Sequence, residues 1–264
     1  MRKYFFVYRT SLQRFVQYRS ELVIDFVGKI FIPIVVQLLL WKAVTESTDT
    51  GKIANYDFDE LVRYSLFSIV IYNLMKADYV EREIARAIRE GELNKFLSKP
   101  IDFALYYFAV FVADNTPVII FALLIYIGCS AVGFITPHVW AVGLCALATL
   151  SGMAVAYLMG FLIAMLAFWM DEVWTLFVMK NLVLWFLTGQ LVPLDMFPEA
   201  IRQASKFLPF GYLAYFPTKV LTVALPLSEI ISGLCIILSW VVMFYIAYKL
   251  FWNYALRKYG AFGG

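Results

Sequence analysis

Apolar residues occur along the chain in long runs that short polar segments separate. A helix needs about 20 mostly apolar residues to cross a membrane. Six runs reach or approach that length, namely residues 22–44, 61–80, 116–134, 139–170, 173–191 and 227–252. The pattern predicts an all-α membrane protein in which residues 1–264 form a single transmembrane domain with six transmembrane helices.

The composition supports this class. Of the 264 residues, 62% are hydrophobic and 16% are charged, whereas soluble domains carry about 45–50% apolar and about 25% charged residues. One core of this size cannot bury so much apolar surface, so lipid must solvate much of it. This excludes a secreted disulfide scaffold, a disordered chain and an ordinary cytosolic enzyme. The net charge of +3 gives no indication of nucleic-acid binding.

Residues that carry catalytic or metal chemistry are scarce. Cys129, Cys145 and Cys235 lie inside apolar runs, which predicts buried free thiols and neither a disulfide set nor a zinc site. His138 is the single histidine, so a His-rich metal centre is excluded. No phosphate-binding loop is found, because Gly51-Lys52 lacks its flanking residues. We therefore expect no enzymatic activity and no cofactor in this chain.

Basic residues are distributed unequally between the segments that connect the apolar runs. With the N-terminus inside, twelve lie on inner segments and four on outer ones. The inner set is Arg2, Lys3, Arg9, Arg14, Arg19, Arg82, Arg86, Arg89, Lys95, Lys99, Arg257 and Lys258, and the outer set is Lys52, Arg202, Lys206 and Lys219. The positive-inside rule then predicts that both termini are cytoplasmic.

Residues 1–21 precede the first apolar run. Phe5, Tyr8, Leu12 and Phe15 recur at helical spacing with arginines between them. This pattern predicts a basic amphipathic helix that lies among the lipid headgroups. The alternative is a solvated basic leader.

The apolar stretch before the third predicted span begins at Phe103. A single helix from there to Phe134 would be about 48 Å long, which exceeds a hydrocarbon core of about 30 Å. Asp114, followed by Pro117, has the pattern of a helix start. We therefore expect residues 103–113 to lie along the cytoplasmic interface and a new helix to begin at Asp114. The alternative role for Asp114 is an ion or substrate site.

Residues 81–102 form a charged cytoplasmic segment with two short amphipathic pieces. Ile84 and Ile88 lie one turn apart in the first piece, Gly91 interrupts it, and Pro100 ends the second. The charged sides carry Glu83, Arg86, Arg89 and Glu90. From the residues alone, this segment either docks a soluble partner or is a solvated interfacial helix.

Residues 192–226 combine five prolines with many apolar side chains. We expect short helices that re-enter the outer leaflet, which is allowed where protein neighbours satisfy the backbone. The alternative is an outer cap on the bundle.

The fourth predicted span has small residues at every fourth position, namely Ala148, Gly152, Ala156, Gly160 and Ala164. Such a row permits close helix packing, either within the subunit or across a dimer.

Charged residues inside apolar spans are costly and need an explanation. Asp25 and Lys29 lie one turn apart, so we expect them to pair. Lys180 lies about two turns into the fifth span. It either extends towards the inner interface or contacts substrate in the translocation path.

Two motifs resemble those of a known family. The segment REIARAIREGELNKFLSKP, residues 82–100, is similar to the R-E-G-x-L-x-x-x-L-x-x-P segment of ABC-2-type permeases, the membrane subunits of bacterial ABC exporters. The segment LTGQLVPLDMFPEAIRQASKFLPFGYLAYFPTKVL, residues 187–221, is similar to the proline-rich region between the last two spans of that family. The chain thus resembles a subgroup of uncharacterised permeases over nearly its whole length.

The resemblance implies a role for each non-spanning segment. Residues 2–19 would be a connecting helix on the inner membrane surface, and residues 193–217 would form short re-entrant outer helices. Residues 81–102 would hold the coupling helix that docks into a separate ABC ATPase subunit, which binds ATP and Mg. The implied docking residues are Glu83, Arg86, Ile88, Arg89, Glu90, Gly91 and Leu93.

The resemblance also implies a location and further partners. The chain would lie in the bacterial cytoplasmic (inner) membrane among lipids and pair with a second permease subunit, identical or related. The two subunits would form an export path. The alternative function is an ATP-independent secondary carrier or channel, and a third class is a membrane-embedded lipid enzyme. The sparse mid-membrane charge and the lone His138 disfavour these two classes.

Overall fold

The computed structural model describes residues 2–17, 19–49, 52–54, 56–136, 139–223 and 225–259, so His138 lies outside the described residues. The fold is all-α, as predicted, and no β-strand occurs in the part of the chain that the structure describes. The helices are α1 Arg2–Gln17, α2 Arg19–Phe26, α3 Ile32–Glu46, α4 Phe58–Leu74, α5 Asp78–Arg89, α6 Asn94–Leu97, α7 Phe103–Ala131, α8 Val139–Ala164, α9 Trp174–Leu187, α10 Glu199–Ser205, α11 Tyr215–Thr222 and α12 Leu227–Tyr259. A π-helical turn joins α2 to α3.

Among the described residues, four stretches are helical, long and apolar enough to cross a membrane. They are Leu22–Glu46, Phe103–Ala131, Trp140–Phe168 and Leu227–Arg257. α9 is apolar but has only 14 residues. The predicted second span is divided, because α4 ends at Leu74 and α5 begins at Asp78. The structure therefore supports a multi-pass membrane protein, and the total of six spans stays a prediction.

α8 is the central helix of the bundle. It packs against α4, α5, α7, α9, α11 and α12, and most of it is buried. By contrast, α3, α7 and α12 expose large apolar side chains such as Leu39, Leu124 and Leu250. Exposed apolar surface of this extent on long helices is typical of contact with lipid.

The three cysteines are free, but their burial differs from the prediction. Cys145 is buried, Cys129 is half-buried and Cys235 is exposed. Cys235 lies on α12, whose surface carries many exposed apolar side chains. The prediction of a buried thiol is therefore wrong for Cys235, because an apolar run in a lipid-facing helix need not be covered by protein.

α7 runs without interruption past Asp114, so the predicted helix start at that residue is wrong. The side chains of Asn115 and Thr116 donate hydrogen bonds of 3.0 and 2.9 Å to carbonyl oxygens one turn earlier. These polar groups are thus satisfied inside the helix. Pro117 lies within α7 and is tolerated there.

α1 packs along the first half of α7. Arg14 of α1 forms a salt bridge of 2.5 Å with Asp114, and the hydroxyls of Tyr8 and Thr116 lie 3.2 Å apart. Asp114 is therefore not a helix cap but the partner of Arg14, and its alternative role as an ion or substrate site stays untested. The 29 residues of α7 span about 43 Å, so the turns beside α1 extend beyond a hydrocarbon core of about 30 Å.

The chain turns sharply after α9, and side chains of other helices satisfy the turn. Gly189 has φ 75°, and its carbonyl accepts a hydrogen bond from Tyr64. The Gln37 amide donates to the carbonyls of Gln190 and Leu191, both at 3.2 Å. A turn whose backbone groups are paired in this way is compatible with an apolar environment.

The segment after this turn contains one buried and one exposed helix. α11 packs against α8 and α4, and its residues Thr218 and Val220 are 0% and 2% exposed. None of the residues in α10 is buried. The segment therefore combines a helix inside the bundle with a helix that lies on its surface.

A charged cluster fixes this segment to the loop before α4. Asp195 accepts hydrogen bonds from Tyr56 at 2.5 Å and Tyr215 at 2.6 Å, and Lys219 lies 3.1 Å away. Burial alone would raise the pKa of Asp195, but the two hydrogen bonds and the charge of Lys219 outweigh it and hold the pKa below its usual range.

This cluster predicts a pH-dependent effect of Asp195→Asn on stability. A lowered carboxyl pKa stabilises the fold above the ordinary aspartate pKa of about 3.9, and that contribution is lost as the pH falls further. The variant should therefore melt at a lower temperature than the wild type at pH 7, and the difference should shrink below pH 4. Thermal unfolding followed by tryptophan fluorescence of the purified chains measures the melting temperatures of variant and wild type at each pH.

Asp59→Asn is the control, because Asp59 is an exposed carboxylate in the first turn of α4. It should leave the melting temperature nearly unchanged at both pH values. If the melting temperatures of Asp195→Asn and the wild type differ equally at pH 3 and pH 7, the ionised Asp195 carboxylate does not stabilise the fold in the way described.

Candidate functional site

The candidate site is the hairpin of residues 78–100, which contains α5 and α6. α5 has Asp78 and Glu81 in its first turn and Arg86 and Arg89 in its last turn. Acidic groups at the N-terminus and basic groups at the C-terminus of a helix interact favourably with its dipole. The sequence of this segment therefore favours a helix.

α5 ends at Arg89, and Gly91 interrupts the helical path of the chain, as predicted. Gly91 has φ 72°, the backbone N–H of Glu92 donates to the carbonyl of Ala87 at 2.9 Å, and that of Gly91 donates to Ile88 at 3.4 Å. These two bonds form a Schellman motif, which favours glycine because the left-handed conformation penalises a Cβ atom. The chain therefore reverses after α5.

Apolar side chains fix the hairpin to the bundle. In α5, Ile84 and Ile88 are 0% and 4% exposed, and Leu93 after the turn is 0% exposed. The ring of Phe96 in α6 lies 4.9 Å from that of Phe103 and 5.0 Å from that of Tyr106, between ring centroids. The inner side of the hairpin is thus part of the protein core.

The opposite side of the hairpin is charged and exposed. Arg86 lies 2.6 Å from Glu83 and 4.0 Å from Glu90, and Arg89 donates a hydrogen bond of 2.6 Å to the carbonyl of Asp171. Surface pairs of this kind contribute little to stability. They leave a charged face that a soluble partner can reach.

The docking residues implied by the sequence divide into two groups. Those at or near the surface are Glu83, Arg86, Arg89, Glu90 and Gly91. Ile88 and Leu93 are buried, so in this structure they anchor the hairpin to the bundle. The sequence could have indicated this, because both are apolar residues on the inner side.

A buried ion pair connects α5 to α9. The side chains of Glu81 and Lys180 are 2% and 7% exposed, and the ammonium of Lys180 donates a hydrogen bond to the carboxylate. Burial raises the pKa of Glu81, and the charge of Lys180 opposes that shift. Sequence analysis missed Glu81 as a functional residue, because its partner lies 99 positions away.

Further polar contacts run parallel to this ion pair. The amide of Asn181 donates a hydrogen bond of 2.7 Å to Asp78. The guanidinium of Arg82 lies 5.4 Å from the ring centroid of Trp174, within range of a cation–π interaction. The first two turns of α5 are therefore attached to α9 by side chains of three residues.

The row of small residues on α8 makes room for these contacts. Ala148, Gly152, Ala156, Gly160 and Ala164 are all buried. A Cβ atom on Gly160 would overlap the Glu81 carboxylate and lie 2.8 Å from its Cγ atom, and one on Gly152 would lie 3.2 Å from Met75. At both glycines the close approach is to a residue of the same subunit.

Lys180 lies inside the protein, where its ammonium donates a hydrogen bond to Glu81. Because the side chain is buried and paired, it does not extend to the inner interface in this structure. A role for Lys180 in the translocation path stays a prediction.

The ion pair predicts a specific pattern of variant stabilities. Glu81→Met leaves the Lys180 ammonium buried without its partner, and loss of one member of a buried pair costs about 3–5 kcal/mol. Replacement of both residues by Met should be much less harmful, because no buried charge remains. Denaturant unfolding of the purified chain in micelles measures the free-energy differences.

The control is Glu83→Gln, which removes the exposed partner of Arg86 and should change stability by no more than about 0.5 kcal/mol. If Glu81→Met is as mild as this control, or if the double variant is less stable than either single variant, the pair does not hold α5 to α9.

Comparison with known proteins gives one family. A family model described as ABC-2 family transporter protein matches residues 31–263, which include both α5 and α9. A search of curated proteins gives no match.

Proposed function

The chain belongs to the ABC-2 transporter family of membrane transport proteins, and we propose that it is the permease subunit of an ATP-driven exporter. In this proposal, two permease subunits, identical or related, frame the translocation path in the bacterial cytoplasmic membrane with six spans each. Their termini are cytoplasmic. A separate ATPase subunit binds ATP and Mg and supplies the energy.

The observation that carries the proposal is the construction of the cytoplasmic hairpin. Its inner side is fixed in the core by Ile84, Ile88 and Leu93, while its outer side presents Arg86 and Glu90 at 49% and 53% side-chain exposure. A segment that only connected two helices would not require buried anchors beneath an exposed charged face. This arrangement supports docking of a soluble subunit to the outer side.

The attachment of α5 to α9 supports a route by which docking controls transport. A partner that binds two states of the permease differently shifts the balance between them. Displacement of α5 by the ATPase would act on α9 through Glu81 and Asp78, because both make polar contacts with that helix. Movement of α9 would then switch the path between inner and outer access.

The docking surface predicts the effect of a charge reversal. Arg86→Glu with Glu90→Arg reverses both exposed charges and should abolish co-purification of the ATPase, identified by its nucleotide-binding loop, with the tagged chain from its own membranes. Gly91→Pro should have the same effect, because proline cannot adopt the positive φ of the turn. Amounts of the chain in the membrane should stay unchanged.

Arg202→Glu with Glu199→Arg provides a matched control. These residues form an exposed pair three positions apart on α10, as Arg86 and Glu83 do on α5. The control should retain the ATPase. If the ATPase still co-purifies with the hairpin variant and export persists, the docking assignment is wrong. Export by the purified chain alone would favour the secondary carrier or channel.

A further inference from the structure

A groove of about 870 Å³ lies between α3 and α9, with α4 and the start of α5 behind it. Its walls are apolar and partly exposed, and include Ile32, Val36, Val178, Leu182 and Trp185. From Trp174 to Trp185, α9 rises about 16 Å, which is about half of a hydrocarbon core of 30 Å. The groove therefore has the depth of one leaflet.

The inner end of the groove is cationic. Lys29, Lys76 and Arg82 line it, together with one carboxylate, that of Asp78. Asp78 accepts the hydrogen bond from Asn181, and Lys29 pairs with Asp25 at 2.7 Å, as predicted from their spacing.

Lys76 and Arg82 each contact an aromatic ring. The ammonium of Lys76 lies 5.3 Å from the ring centroid of Tyr72, and Arg82 lies over Trp174. Neither side chain forms an ion pair within 4 Å in the described part of the chain. Two cations at the mouth of an apolar groove can thus accept an anionic group.

The other end of the groove is polar but has no charge. Gln37 and Gln190 line it, and each is 5% exposed. Their side-chain oxygens have no hydrogen-bond partner among the described residues. Because these oxygens are acceptors, they offer nothing to an anion. The end near Lys76 and Arg82 is therefore the end of the groove whose charge suits an anionic group.

We propose that this groove binds the cargo, and that the cargo is an amphiphile with a phosphate head and a hydrocarbon chain. The inference rests on the proposed transport function and specifies its substrate class. The phosphate head lies between Lys76 and Arg82 at the cytoplasmic end. The hydrocarbon chain lies along the apolar walls of α3 and α9 and enters from the inner leaflet.

Tryptophan quenching tests the proposal, because Trp174 and Trp185 line the groove. The full chain is placed in phosphatidylcholine nanodiscs that contain increasing amounts of brominated phosphatidic acid or brominated phosphatidylcholine. We expect the acidic lipid to bind about tenfold more tightly, as two charge-assisted contacts support. Trp185→Phe should remove much of the additional quenching.

The variant Lys76→Gln with Arg82→Gln should abolish the preference for the acidic lipid, whereas exchange of the two cations, Lys76→Arg with Arg82→Lys, should retain it. Lys249→Gln is the matched control, because the Lys249 ammonium also lies over a tyrosine ring, 5.2 Å from the centroid of Tyr248, but on α12 outside the groove. It should retain the preference.

Three results would overturn the proposal. These are equal binding of both lipids to the wild type, an unchanged preference in the glutamine variant, and complete displacement of the acidic lipid by water-soluble glycerol phosphate. The last result would identify a site for a free phosphate. A second permease subunit that covers the groove would prevent quenching by either lipid and would also contradict the proposal.

The assay separates this inference from the proposed function, because it needs no ATPase. A preference for phosphatidic acid in a chain that never binds an ATPase would leave the groove assignment intact and remove the exporter. A wild-type chain that binds an ATPase but shows no preference for phosphatidic acid would leave the exporter proposal intact and remove the groove assignment.

Discussion

The ion pair between Glu81 and Lys180 is the contact on which the position of α5 beside α9 depends. Both charges are almost completely buried, and an isolated buried charge costs several kcal/mol, so neither residue is stable there without the other. The pair therefore fixes where α5 lies relative to α9. It also requires glycine at position 160 of α8, because the Glu81 carboxylate occupies the space that a side chain there would need.

Local signals were sufficient to predict much of the fold and part of the site. The interruption of the helical path at Gly91 follows from the conformational preference of glycine, and the burial of Ile84 and Ile88 follows from their spacing by one turn. The pairing of Asp25 with Lys29 was predicted for the same reason. In each case the partners are close in sequence, so helix geometry alone brings them together.

Contacts between distant parts of the chain could not be predicted in this way. Asp114 has the local pattern of a helix cap, but it pairs with Arg14, 100 positions earlier. For Lys180 the sequence indicates no partner, and the structure pairs it with Glu81, 99 positions earlier. A buried charge reveals that a partner is needed and does not reveal which one, because several carboxylates in the sequence would satisfy it equally well.

The turn after α9 is held by two earlier helices. Side chains of Gln37 on α3 and of Tyr64 and Ser68 on α4 donate hydrogen bonds to the carbonyls of residues 189–191. Because an unpaired backbone group is costly in an apolar environment, the conformation of this turn depends on α3 and α4 staying in place. The course of the chain after α9 is therefore linked to the packing of two helices that precede it by more than 100 positions.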